Sequence, residues 1–113
     1  MHDKMNITTS QITTCMHTWL QCEELLVSLA EKKKSFSART TRILDECAHI
    51  CFGALQTLKS PGKNLQHVAL LCVGICEECA EICERYSDRS FKEFAIACRQ
   101  CSEVLTPIAG SDL

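Results

Sequence analysis

Ten cysteines carry the chemistry that this sequence could perform, and four of them follow one another closely. Cys72, Cys76, Cys79 and Cys83 are separated by four, three and four positions. On a helix with 3.6 residues per turn, these steps place every thiol on one stripe. A bundle helix normally uses that stripe for the apolar side chains of its core. Thiols in those positions predict an interior that binds soft metal ions.

The same spacing accounts for every cysteine of the chain. Applied to the three other predicted helices, the four-three-four pattern takes in Cys15 and Cys22, then Cys47 and Cys51, then Cys98 and Cys101. The remaining positions on the pattern are all apolar, namely Trp19, Leu26, Ala54, Leu58, Phe94 and Leu105. Scattered thiols would not follow one pattern in this way. We therefore predict ten metal ligands facing one interior: Cys15, Cys22, Cys47, Cys51, Cys72, Cys76, Cys79, Cys83, Cys98 and Cys101.

Turn and capping residues divide the chain into four helices, at about residues 10–33, 38–58, 63–86 and 91–106. The boundaries depend on Ser10 and Ser37 as N-caps, the Ser60-Pro61-Gly62 break, a capping box of Ser90 and Glu93, and Pro107 as the last helix end. Short connections between long helices predict antiparallel neighbours. The expected fold is all-α: a single domain over residues 1–113, forming an up-down-up-down four-helix bundle with a cysteine-lined core.

Counting from the turns predicts the height of each thiol along the bundle. Cys79 and Cys83 are expected near the first and third turns. Cys22 is expected at mid-height, together with Cys51, Cys72 and Cys101. Leu58, Leu65 and Leu105 should form an apolar plug at the opposite end, so that the thiols fill one half of the bundle.

Composition excludes several other classes of protein. The formal charge is −2 and no basic stripe is visible, which argues against nucleic-acid binding. No apolar run is long enough to span a membrane, and the first ten residues contain no signal peptide. We therefore expect a cytoplasmic protein whose cysteines stay reduced and bind metal rather than form disulfides. The sequence contains neither a nucleophile–base set nor a Gly-rich phosphate loop, so nothing in it indicates an enzyme.

Among thiophilic ions, Cu(I) fits the spacing best. Thiolates select Cu(I), and two sulfurs on a linear ion lie roughly 4.5 Å apart, within reach of a Cys-x3-Cys pair on a helix. Monovalent ions also balance bridging thiolates at about one ion per sulfur. Zn²⁺ is less expected, because structural zinc sites take ligands from turns and no cysteine lies in a turn here. An iron–sulfur electron carrier remains an alternative, although the proline of the bacterial cluster motif is missing.

Three segments carry a resemblance to a known family: the helix with Cys72, Cys76, Cys79 and Cys83, the segment Cys47-Ala-His-Ile-Cys51, and the segment Cys98-Arg-Gln-Cys101. They resemble the bacterial four-helix-bundle copper storage proteins, with this chain as a cysteine-poor member. The resemblance implies storage of several Cu(I) ions in a homo-oligomer, a tetramer in that family, with copper ions as the partner and no donor indicated. This chain has fewer cysteines than the family usually carries, which leaves open the roles of a copper buffer, a copper sensor or a vestigial copper binder.

Two less specific interpretations remain beside copper binding. Any single buried cysteine is more often a packing residue than a ligand, so a structural bundle with inert thiols stays open. His17, His49 and His67 lie off the stripe, and His49 is expected on the surface. Glu46 and His49 form a Glu-x-x-His motif like those of di-iron bundles, but a second such motif is missing and this one points outward.

Overall fold

The computed structural model describes residues 7–32 and 37–110, and within these ranges it contains helices and no strand. The helices are α1 (Thr9–Lys32), α2 (Ala38–Lys59), α3 (Leu65–Cys83) and α4 (Arg89–Ala109). α1 and α3 each pack against both α2 and α4. Short connections make sequential helices antiparallel. The predicted all-α four-helix bundle with a cysteine-lined core is confirmed.

The first helix begins one residue earlier than predicted, because Thr8 and not Ser10 caps it. The Thr8 hydroxyl accepts a hydrogen bond from the Gln11 backbone N–H at 3.1 Å, and the Gln11 side-chain oxygen accepts one from the Thr8 N–H at 2.9 Å. This reciprocal pair is a capping box. The Gln11 amide then donates to the Val104 carbonyl at 3.0 Å, which joins this helix start to α4. Residues 33–36, which include the predicted end of the first helix, lie outside the described residues.

The second helix begins with the predicted Ser37 cap. The Ser37 hydroxyl accepts from the Thr40 N–H at 3.1 Å, and the Thr40 hydroxyl lies 2.8 Å from the Tyr86 hydroxyl beyond the end of α3. The cap therefore stabilises both the helix start and its contact with the next connection.

We expect Ser37→Ala to lower the free energy of unfolding by about 1 kcal/mol, because one backbone N–H of the first turn loses its partner. Urea denaturation of the reduced protein measures this change. Ser10→Ala is the matched control, since Ser10 is exposed inside α1 and does not cap it. An equal loss in both variants would contradict the assignment of the two caps.

The last two helices have different boundaries from those predicted. α3 ends at Cys83 rather than near Tyr86, and the break at residues 60–62 is observed. α4 begins at Arg89 because Asp88 caps it, its carboxylate accepting from the Ser90 N–H at 2.8 Å. The predicted Ser90–Glu93 capping box is therefore wrong, and Glu93 instead accepts from Arg89 at 3.0 Å. Pro107 lies inside the last turn and does not end the helix at residue 106, because only a final-turn backbone hydrogen bond is lost there.

Apolar side chains bound the thiols on both sides. The predicted plug of Leu58, Leu65 and Leu105 is present, with Val68 beside it. The other side is also apolar, because it contains the buried side chains of Leu25, Leu44, Phe91 and Phe94. Each of them lies about one turn or more beyond the nearest cysteine of its own helix. On α1, α2 and α4 the thiols therefore lie between two apolar ends, whereas on α3 they continue to its last residue, Cys83.

Within the described ranges, no helix is both long enough and apolar enough to cross a membrane.

Candidate metal centre

The stripe that α1 turns to the core differs from the predicted one at two positions. Cys15 and Cys22 are fully buried, but the residues that follow them inside are Thr18 and Leu25, with exposures of 0% and 5%. Trp19 and Leu26, which the four-three-four pattern selects, are only partly buried. The Thr18 hydroxyl donates to the carbonyls of Thr14 and Ala97, which explains how a polar residue is accommodated in the core.

All ten predicted ligands lie inside the bundle. Each cysteine has a relative exposure of 0%, and none forms a disulfide. The ten are Cys15, Cys22, Cys47, Cys51, Cys72, Cys76, Cys79, Cys83, Cys98 and Cys101. Thiols that are withdrawn from water and not joined in disulfides are suited to hold soft metal ions.

Four of these sulfurs form one group, here called the four-sulfur group: Cys51, Cys72, Cys76 and Cys101. All four Sγ atoms lie within 4.8 Å of one another. The Cys51 Sγ is 3.8 Å from the Sγ of Cys72 and 3.8 Å from that of Cys76. Helices α2, α3 and α4 each contribute to the group, so their packing sets the distances between the sulfurs.

A second group, here called the three-sulfur group, consists of Cys47, Cys76 and Cys98. Its Sγ atoms also lie within 4.8 Å of one another, and Cys76 belongs to both groups. Cys47 and Cys51, one turn apart on α2, link the groups a second time through sulfurs 3.8 Å apart. The two groups are therefore continuous along the bundle axis.

The two cysteines of α1 extend these groups rather than forming a site of their own. Cys15 interacts with Cys101 and Cys72, whereas Cys22 interacts with Cys47. The prediction that Cys22 lies at the height of Cys72 and Cys101 is therefore wrong, and Cys15 takes that place. The height of one helix relative to its neighbours depends on their packing, which the spacing of residues along a helix does not specify.

Both α1 thiols also donate hydrogen bonds to backbone carbonyls of α2. Cys15 Sγ donates to the Cys51 carbonyl at 3.4 Å, and Cys22 Sγ donates to the Leu44 carbonyl at 3.1 Å. These acceptors are functional groups that sequence reasoning missed, since every residue has a carbonyl and no sequence signal distinguishes them. They give each α1 thiol a hydrogen-bond acceptor inside the core.

The remaining two cysteines continue the row on α3. Cys79 interacts with Cys47, Cys83 and Cys98, so it joins the three-sulfur group to the end of the helix. Cys83 is the last residue of α3 and is also fully buried. Sulfur atoms therefore follow α3 over its last three turns.

Mutual hydrogen bonding divides the thiols into those that lose a proton readily and those that keep it. Hydrogen bonds from Cys22 and Cys51 lower the pKa of the Cys47 thiol, and hydrogen bonds from Cys15 and Cys51 lower the pKa of the Cys101 thiol. The pKa of Cys22 is raised by its hydrogen bond with Cys47 and by burial. The four-sulfur group thus contains two thiols whose pKa is lowered, Cys72 and Cys101, and the three-sulfur group contains one, Cys47. Further ions must displace protons from the neighbours of these thiols.

Among the described residues, His17, His49 and His67 lie outside the core, as predicted for His49. The His49 ring nitrogen Nδ1 is 2.8 Å from the Asp45 carbonyl oxygen, and this hydrogen bond, with the nearby Asp45 carboxylate, raises the pKa of His49. His17 and His67 are exposed as well. Glu46 is also exposed, so the Glu-x-x-His motif does not face the bundle interior.

The comparisons with known proteins agree with this geometry. The model of the copper storage protein family matches residues 1–109. An uncharacterized cysteine-rich protein of Bacillus subtilis (strain 168), YhjQ, is 27% identical over 89 residues, which cover 79% of this chain and 77% of that protein. No solved structure matches the chain significantly. The description of the chain as cysteine-poor is wrong, since it contains ten cysteines and all are buried.

Proposed function

Since this chain belongs to the copper storage protein family, we propose that it binds and stores or buffers Cu(I) ions through its ten cysteine thiolates. The observation that carries the proposal is the continuity of the sulfur atoms. Six of them fall into two groups that share Cys76, and the remaining four contact members of those groups or Cys79. An ion bound at any point therefore has a second sulfur within reach.

Charge balance supports a monovalent cargo. Buried thiolates are strongly disfavoured unless a cation compensates each of them. Cu(I) accepts two or three thiolate ligands and carries one positive charge, so bridging thiolates and ions approach neutrality at about one ion per sulfur. In the metal-free protein the thiols keep most of their protons, and each incoming ion displaces them.

The proposal includes a passive role and a reducing environment. Storage needs binding and release only, so we propose that the chain is not an enzyme. Ten free cysteines are best maintained in the cytoplasm, where thiols stay reduced.

We further propose that the chain forms a homo-oligomer. Exposed apolar side chains offer a surface for this contact, among them Leu70 and Ile96, which are 56% and 59% exposed. Sedimentation of the purified chain tests the oligomeric state.

We expect the reduced protein to take up several Cu(I) ions per chain, up to one per cysteine, when titrated against a competing Cu(I) chelator without oxygen. His49→Ala is the control, and it should leave the count unchanged because His49 lies on the surface. Failure to compete with the chelator would support the inert-thiol bundle and overturn the proposal.

The same preparation separates copper storage from the iron–sulfur alternative. A Cu(I)–thiolate core is colourless, whereas an iron–sulfur protein is brown. The thiolates of a four-iron cluster must stand outside a cube of iron and sulfide. Four sulfurs within 4.8 Å of one another leave space for a single ion instead. We therefore expect no visible absorption after Cu(I) loading.

A further inference from the structure

We propose that the four-sulfur group (Cys51, Cys72, Cys76 and Cys101) is also a tetrahedral site for one divalent thiophilic ion, Zn²⁺ being the representative. This site goes beyond Cu(I) storage and does not depend on it. It would be filled when copper is scarce and emptied when Cu(I) arrives.

The sulfur spacing is the first argument. Four sulfurs around one zinc ion, each about 2.3 Å from it, lie about 3.8 Å from one another. The Sγ atoms of Cys51 and Cys72, and those of Cys51 and Cys76, are 3.8 Å apart, and no pair in the group exceeds 4.8 Å. A linear ion needs a wider pair, of roughly 4.5 Å. Two of the six sulfur pairs therefore have the tetrahedral spacing before any ion binds, and the other four exceed it by no more than about 1 Å.

The origin of the ligands is the second argument. Structural zinc sites usually take cysteines from turns, and the sequence places these four inside helices. The bundle removes that objection, because α3 supplies Cys72 and Cys76 one turn apart while Cys51 of α2 and Cys101 of α4 complete the group. Sulfurs held by three packed helices need little reorganisation to bind.

The surroundings of the group are the third argument. Four thiolates around a divalent ion leave two negative charges in a dry interior, which is costly without hydrogen-bond donors. The Cys15 thiol is in place to donate, because it interacts with both Cys101 and Cys72. Donors of this kind orient metal ligands and strengthen the site.

The sharing of Cys76 sets the stoichiometry. The three-sulfur group also uses Cys76, and without it Cys47 and Cys98 keep Cys22 and Cys79 as neighbours. These four sulfurs do not all lie within 4.8 Å of one another, so they do not offer a second preformed tetrahedral site. One divalent ion per chain is therefore expected, in contrast to several Cu(I) ions.

Co²⁺ is the probe for this site, because its absorption reports the coordination geometry. We expect anaerobic titration of the reduced, copper-free protein to give the visible bands of tetrahedral thiolate-bound Co²⁺, saturating at one equivalent. Zn²⁺ should bleach these bands by displacement, and Cu(I) should do the same. An absence of tetrahedral bands would overturn the proposal while leaving Cu(I) uptake, measured separately, unaffected.

Two matched variants locate the ion. Cys101→Ser should abolish the four-sulfur spectrum. It should also weaken Zn²⁺ binding by more than roughly 10- to 100-fold, which is the loss in affinity typical when a metal ligand loses its outer hydrogen-bond partner. Cys83→Ser removes an equally buried thiol outside both sulfur groups and should leave spectrum and affinity unchanged. Circular dichroism checks that both variants remain helical. Bands that survive in the first variant and vanish in the second would place the ion elsewhere and overturn the assignment.

Discussion

The double substitution of Cys51 and Cys76 by serine should remove roughly half or more of the Cu(I) that the protein retains. This loss is well beyond the share that two thiols out of ten would hold if each bound copper independently. Cys51 lies 3.8 Å from the sulfurs of Cys47, Cys72 and Cys76, and Cys76 belongs to both sulfur groups. Serine has nearly the same shape but offers a hard oxygen that Cu(I) does not select. Both groups lose a ligand, and the link between them is broken. Equilibrium titration against a Cu(I) chelator measures the loss.

The control for this double variant is the replacement of Cys15 and Cys83 with serine. These residues are also fully buried, and the same number of thiols is removed, but neither belongs to the two sulfur groups. We expect this control to lose copper only in proportion to the missing thiols. Similar losses in the two double variants would mean that the sulfurs act independently, and the proposed continuity of the groups would be abandoned.

Leu105→Ala should lower the free energy of unfolding of the metal-free protein by about 2–5 kcal/mol, because it leaves a cavity in the apolar plug. Leu105 has an exposure of 0% and shares a small apolar space with Leu58, Leu65 and Val68. Urea denaturation under reducing conditions gives the change in free energy. The number of bound Cu(I) ions should stay the same, since the plug contains no thiol.

Leu20→Ala makes the same chemical change at a site that is 44% exposed. It should alter the free energy of unfolding by no more than about 0.5 kcal/mol. A loss of copper in Leu105→Ala without a loss of stability would contradict the separation between an apolar plug and the metal-binding thiols.

Much of the candidate site follows from the spacing of cysteines along the helices. Steps of three and four positions keep Cys72, Cys76, Cys79 and Cys83 on one face whatever the neighbouring helices do. Where two patterns fit equally well, spacing alone is ambiguous. Between Cys15 and Cys22 either residue 18 or residue 19 can face inward, and hydrophobicity favours Trp19. In the structure the Trp19 indole N–H donates to the exposed Glu23, so the ring stays at the boundary.

Helix boundaries show a similar division. Ser37 was predictable as a cap because its hydroxyl needs only the next turn of its own helix. Pro107 was misjudged because its cost depends on how many backbone hydrogen bonds follow it, and here the helix ends at Ala109.

The amino-acid sequence by itself determined that four amphipathic helices form and that thiols occupy their inner faces, since helical periodicity is a local property of the chain. Only the tertiary structure decided which sulfurs meet. Cys15 rather than Cys22 lies beside Cys72 and Cys101, and Cys76 joins two groups, because the relative heights of packed helices depend on the connections and on side-chain packing at both ends. A metal ion responds to distances between sulfurs on different helices, and no spacing within one helix specifies those distances.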